Sequence, residues 1–234
     1  MKSSAPLAAA LAVAFISCLA ACSQGPAQGG NAVPATAPAA AAITPVSTTA
    51  PAGDYHNDPA HSSLTFRVNH LGFSNYTARF STFSARLRLD PAHPEASTLT
   101  AQIPVSSLTL NSPPDGFVEE MLGPMFFDSA RYPQIDYQST SVRLTSPNTA
   151  RVIGNLTLHG VTRPVTLDVT FNGGYPGMSM DPSARIGFSA RGTLRRSEFG
   201  MAAGIPAPGT TMGVGDQVEI LIETEMSGPA FQQP

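Results

Sequence analysis

The sequence predicts an all-β domain, an antiparallel barrel of eight strands with one short helix, and three observations lead there. The first is strict alternation. From Arg151 to Phe171, apolar side chains fall at Val152, Leu156 and Leu158, then at Val165, Leu167, Val169 and Phe171, with polar residues between them. A period of two with one oily face is a half-buried strand. His159-Gly160 lies where a turn must join the two strands, since glycine takes positive φ at little cost. The second is a parity change: Tyr76, Ala78 and Phe80 share one parity, and Phe83, Ala85, Leu87 and Leu89 share the other. Such a slip without a turn residue is a bulge, as a strongly curved sheet needs. The third is a shortage of cover. Only Pro113–Leu122 has helical spacing, so the sheet must hide its oily face by curling around itself.

The chain opens with Lys2 and an apolar run from Leu7 to Ile16, read as a signal peptide over residues 1–21 and too short to span a bilayer. Leu19-Ala20-Ala21-Cys22 resembles the lipobox of bacterial lipoproteins, which makes the Cys22 thiol the expected lipidation site. An ordinary signal peptide with a stray cysteine is the alternative. Lipoproteins held at the inner membrane usually carry aspartate after the cysteine. Ser23 stands there instead, so the expected location is the periplasm, anchored by lipid to the outer membrane of a Gram-negative cell. Residues 22–53 are rich in Ala, Pro, Gly and Thr, with prolines at 26, 34, 38, 45 and 51. They read as a disordered tether, and a compositional filler of no defined length fits equally well. The domain is expected over 54–228, followed by a flexible tail at 229–234.

Composition excludes several classes of function. The formal charge of −3 becomes −4 once Lys2 leaves with the signal peptide, and every remaining cation is a scattered arginine. That gives no basic stripe for nucleic acid and no polybasic membrane patch. Both cysteines, Cys18 and Cys22, lie in the leader segment. The domain therefore has no thiol for a disulfide, for thiolate chemistry or for a metal.

Within the domain, Asp54-Tyr55-His56-Asn57-Asp58-Pro59 reads as turn chemistry. Strands follow at 61–69, 76–89, 99–105, 134–144, 151–158, 165–171, 184–194 and 217–226. Pro113-Pro114-Asp115 starts the helix and Gly123-Pro124 stops it. Ala78, Ala85, Ala101, Gly154, Ala190 and Gly192 share parity with apolar neighbours. Small residues among large ones leave volume near a barrel axis, or they ease bends and receive a bulky residue from across the sheet. An eight-stranded barrel can hold one small ligand. The pocket lining is then expected to include Phe66, Val68, Tyr76, Phe80, Ile103, Leu156, Leu158 and Phe188, around an elongated apolar guest.

Four segments, HNDPAHSSLTFRVNHLGFS, FFDSARYPQIDYQSTSV, GNLTLHGVTRPVTLDV and GFSARGTLRRSEFGM, resemble in order and spacing the motifs of the YceI-like, polyisoprenoid-binding family. The resemblance covers Tyr55 to Glu225. It implies a lipocalin-like barrel in the bacterial periplasm, with a long apolar pocket for a polyisoprenoid or similar chain and no enzymatic activity. One departure stands out. The family usually shows an arginine-aspartate-x-histidine-leucine run before its FFD motif, where this chain has Glu119-Glu120-Met121-Leu122-Gly123-Pro124. A polar or gating role of that segment is therefore not carried over.

Polar candidates are few. His70, His159 and Arg163 could meet a head group at a barrel mouth, or simply bond turn backbones and face solvent. No two of His61, His70 and His159 have the short spacing of a metal site, so neither metal nor cofactor is expected. An isomerase-like metal or heme site would need His61, His70 and His159 to converge. The Arg195-Arg196-Ser197-Glu198 run reads as a strand-end ion-pair corner. Met121, Met125, Phe126 and Phe127 form either a lid or a plug at one barrel end. No G-x-S-x-G, H-E-x-x-H, P-loop or G-x-G-x-x-G run occurs, so no catalytic residue is assigned. The expected function is to carry or sequester a long apolar molecule. The alternative is an envelope stress or interaction module whose barrel is a solid scaffold.

Overall fold

The computed structural model describes residues 42–232. The expected signal peptide, Cys22 and most of the tether lie outside the described residues. Ten strands follow in order: β1 (Gly53–His70), β2 (Ser74–Phe80), β3 (Ser84–Leu89), β4 (Thr98–Pro104), β5 (Leu108–Thr109), β6 (Gln134–Ser146), β7 (Thr149–Leu158), β8 (Val161–Tyr175), β9 (Ser183–Arg195) and β10 (Val214–Ala230). One helix, α1 (Phe117–Leu122), lies between β5 and β6. The sheet order is β10-β9-β8-β7-β6-β4-β3-β1-β2-β5, and β10 also pairs with β1. That last pairing closes the ring. β2 with β3, and β4 with β5, are halves of interrupted strands, so the result is a closed antiparallel barrel of eight.

The parity slip has a visible cause. β2 ends at Phe80, β3 starts at Ser84, and the two halves pair with different stretches of β1, Leu64–His70 and Gly53–His56. Between them β1 bulges, with its register against β10 shifting between Asn57 and Ser62. The Asn57 side chain fills the gap in the ladder: its Nδ2 donates to the Phe83 carbonyl (3.1 Å) and its Oδ1 accepts from the Ala85 N–H (2.7 Å). A side chain thus satisfies backbone groups that the bend would otherwise leave unpaired. Asn57-Asp58-Pro59, expected as part of a turn that opens the domain ahead of its first strand, is instead a bulge inside that strand.

The β7–β8 hairpin turns through His159 (φ 52°) and Gly160 (φ 74°). Two positive φ values give the mirror-image turn that matches the right-handed twist of the strands. Pro164 sits opposite Asn155 on β7, in a part of β8 that precedes its pairing with β9 from Leu167 onward. This is an edge position on that side, where proline is tolerated.

The packed region reaches beyond both expected boundaries. Residues 42–52 form no strand, yet Ala50 is buried and the Val46 N–H donates to the Pro147 carbonyl at 2.7 Å. The Tyr55 hydroxyl donates back to Pro51 O at 2.7 Å, and burial pushes that phenol up to about 12. At the other terminus β10 runs to Ala230, and the Phe231 N–H donates to Pro182 O. Apolar packing at the barrel end decides both boundaries, and low complexity does not register it.

Two clusters of buried side chains occupy the barrel. One gathers Phe80, Val105, Leu108, Phe127 and Phe199, and the other Tyr55, Ala184, Ile186 and Met226. Gly154 on β7 gives its space to Tyr137 of β6, whose hydroxyl donates to Val152 O (3.2 Å) and Val165 O (3.3 Å). A Cβ at Gly154 would meet the Tyr137 ring and stand 2.6 Å from the Gln138 carbonyl. Gly154→Ala should therefore lower stability by about 1–3 kcal/mol, the usual range for overpacking, read as an earlier urea midpoint with an unchanged m-value.

Candidate functional site

The alternation that builds the strands puts their oily side chains inside the ring, and they do not fill it. A cavity of about 440 Å³ remains, within the range of about 300–1,000 Å³ seen for small-molecule sites. Its wall runs from Arg196, Met201 and Ala203, beside the β9–β10 connection, to Val46, Pro147 and Pro91. Those residues lie at opposite ends of the barrel, because β6 to β10 each cross from one end to the other. The hollow is therefore elongated along the axis.

Small side chains open it. Ala85, Ala101 and Ala190 line the wall, whereas Ala78, Gly154 and Gly192 do not. Phe66, Val68, Phe80 and Ile103 stand in the wall, and so do Leu156, Leu158 and Phe188. Tyr76 does not: it lies near the β1–β2 turn, where its hydroxyl accepts the Asn111 N–H at 3.0 Å. The segment after β5 closes one end. Met121, Phe126 and Phe127 reach the wall, and Met125 faces solvent. The Phe127 N–H donates to Met121 O (3.0 Å) and the Ser129 N–H to Leu122 O (2.9 Å), so this cap is held by its own backbone.

The polar groups that reach the wall are already engaged. The Tyr137 hydroxyl bonds two carbonyls. Ser97 Oγ accepts the Asp90 N–H, and Thr149 Oγ1 bonds Ser146 Oγ. Arg196 is the one charged residue of the wall. Its Nε donates to Gly215 O (2.9 Å), Nη1 to Met201 O (2.8 Å) and Ala203 O (2.7 Å), and Nη2 to Val214 O (2.7 Å). Burial holds its guanidinium pKa below the ordinary value, while the four carbonyls supply the compensating dipoles. Arg195, one residue on, points outward to Asp216 at 3.9 Å. Asp216 also accepts from the Ser197 N–H and Oγ, both at 2.9 Å. The expected ion-pair corner is therefore real for Arg195. Arg196 instead pins the β9–β10 connection from inside. Its inward parity with Ala190 and Leu194 was the sequence signal for that role.

None of the three candidate head-group contacts reaches the cavity. His70 and Arg163 are exposed. His159 Nδ1 lies 3.2 Å from Phe199 O, its ring packs on Tyr132 at 4.8 Å between centroids, and its buried Nε2 has no hydrogen-bond partner among the described residues. The turn geometry of His159-Gly160 directs that ring onto neighbouring backbone rather than into the barrel. Among the described residues, no cluster of three or more His, Cys, Asp or Glu is placed to hold a metal.

A closed antiparallel barrel around an apolar axial hollow defines a lipocalin-like architecture. Residues 55–226 match the YceI-like domain, and the chain belongs to that family. A UPF0312 protein of Pseudomonas putida (strain W619) is 37% identical over 153 residues, covering 64% of this chain and 74% of that protein. The crystal structure of Burkholderia cenocepacia BcnA shares the fold with a TM-score of 0.61 at 24% identity, over 72% of this chain and 98% of that one. A polyisoprenoid binding domain from Saccharophagus degradans also shares it, with a TM-score of 0.52 at 17% identity, over 75% and 98% of the two chains.

Arg196→Met should keep the side chain's bulk and strand four carbonyls. At about 1–3 kcal/mol for each buried group left unpaired, with partial relief by water, a loss of about 3 kcal/mol is expected in chemical denaturation.

Proposed function

We propose that this protein carries or sequesters a polyisoprenoid or another long apolar molecule in the barrel, in the periplasm, held to the outer membrane through lipid on Cys22. The cavity is the observation that supports this reading: it is elongated, and the polar groups of its wall are turned to other partners. Such a site has no charged group free to select a head group. Affinity comes from removing oily surface from water, at about 25 cal/mol per Å². A chain of methylene or isoprene units suits that wall better than a compact polar metabolite. The named binding of the Saccharophagus domain agrees with this choice of guest. A hollow interior favours a carrier over a purely structural barrel. Acylation of Cys22 would place the carrier beside a membrane, the one phase where such guests are plentiful.

Native mass spectrometry of protein purified without detergent should show an added apolar mass that organic solvent removes. Ala190→Phe, which pushes a ring into the hollow, should reduce that adduct severalfold in a still-folded barrel. Consistently empty wild-type protein would count against the carrier reading. Independently, metabolic labelling with a radioactive fatty acid should mark the wild-type chain. Cys22→Ser should lose the label and move to the soluble fraction; label retained by that variant would remove the anchor.

A further inference from the structure

The wall of the cavity is held with very uneven strength. Most of it is strand, laddered on both sides. The cap after β5 is tied by its own backbone bonds, and the turn from β3 to β4 is tied by Asp90, whose Oδ1 accepts from the Ala92 and His93 N–H groups. The exception lies just before β1. Pro45, Val46 and Thr48 form part of the wall at the end where β6 turns into β7. Among the described residues, the hydrogen bonds that join this stretch to the sheet are the 2.7 Å bond from the Val46 N–H to Pro147 O and a long 3.4 Å bond from Thr48 Oγ1 to Gly174 O. Ile43 and Val46 remain 39% and 40% exposed, so their side chains are only partly withdrawn from water, unlike the fully buried side chains of the barrel. Immediately beyond, the chain is fixed: Ala50 is buried, and the Tyr55 hydroxyl grips Pro51 O at 2.7 Å. A weakly held strap therefore adjoins a firm pivot.

We infer that residues 43–48 are the gate of the cavity, swinging about residues 49–51 to admit and release the guest between the strap and the β6–β7 turn. This rests on the reading of the cavity as a guest site and adds the route and its control. Opening breaks one good backbone hydrogen bond and uncovers a few half-buried side chains, whereas opening at the ladders separates paired strands, opening at the cap unfolds it, and opening at the β3–β4 turn or the β9–β10 connection breaks the Asp90 or Arg196 bonds. The strap is also the part of the wall continuous with the chain leading back to Cys22. A pull on that chain acts on the gate before it acts on the barrel.

The test follows loading and release of N-phenyl-1-naphthylamine, a neutral dye that brightens in apolar surroundings, by stopped-flow fluorescence on the full chain. Val46→Pro deletes the donor. Both rates should rise about fivefold, the weight of one net hydrogen bond. A second form carries V46C and P147C together with C18S and C22S, so that the introduced pair holds the only thiols. Backbones this close suit a disulfide. Dye exchange should be lost on oxidation and return with reductant. If the oxidised pair exchanges as fast as the reduced one, or Val46→Pro keeps wild-type rates while dye still binds, the gate is overturned and the carrier reading stands. If no form takes up dye at all, the carrier reading falls and the gate falls with it.

Discussion

The pairing of β1 with β10 is the constraint on which the rest of the molecule depends. Without it the sheet has two edges and one bare oily face, which it would have to cover by other means. With it the edges vanish and the oily face becomes an inner surface. Geometry then sets what is left inside, since eight strands fix a circumference. Alanines at 85, 101 and 190 do not span the resulting interior. The hollow is thus a consequence of closure combined with small side chains. The two ends are finished differently: one by the cap after β5 and the Arg196 corner, the other by Tyr55, Ala50 and the strap.

Arg196 shows how an apolar container tolerates a charge. Its position just past β9, continuing the inward parity of Ala190 and Leu194, turns the guanidinium toward the interior, where an isolated cation would be costly. Four carbonyls, two from the β9–β10 connection and two from the start of β10, converge on it, so the charge organises a long loop and leaves the hollow neutral in character. Asp216, near the start of β10, handles Arg195 and Ser197 on the outside. Two adjacent arginines therefore do unrelated work, sorted only by the alternation of the strand.

Much of this was legible in the sequence, because strand parity is a local property. The eight strands, the β7–β8 turn, the break near Phe80 and inward positions such as Phe66, Ile103, Leu156 and Phe188 follow from a period of two and its single slip. What escaped was set by contacts between distant segments. Tyr76 has the right parity, but its hydroxyl is claimed by Asn111 beyond β5. His159 looks like a mouth residue until its positive φ and the Phe199 carbonyl turn it aside. Asn57 reads as a turn former and instead repairs a ladder across 26 and 28 residues of sequence. The strap looks like linker because its composition is linker, and only the shape of the barrel end gives it a place to lie.

The order of the strands also bears on how the chain comes to its final form. Leu64 of the first strand faces Ile222 of the last, so the seam joins the earliest and latest parts of the domain to be synthesised. Contacts that distant in sequence form slowly. Until Val214–Ala230 is available, a nascent chain holds a nearly complete but open sheet, with its greasy side facing water. The same seam that closes the finished container leaves its unfinished precursor with an exposed apolar surface, the state in which aggregation competes with folding.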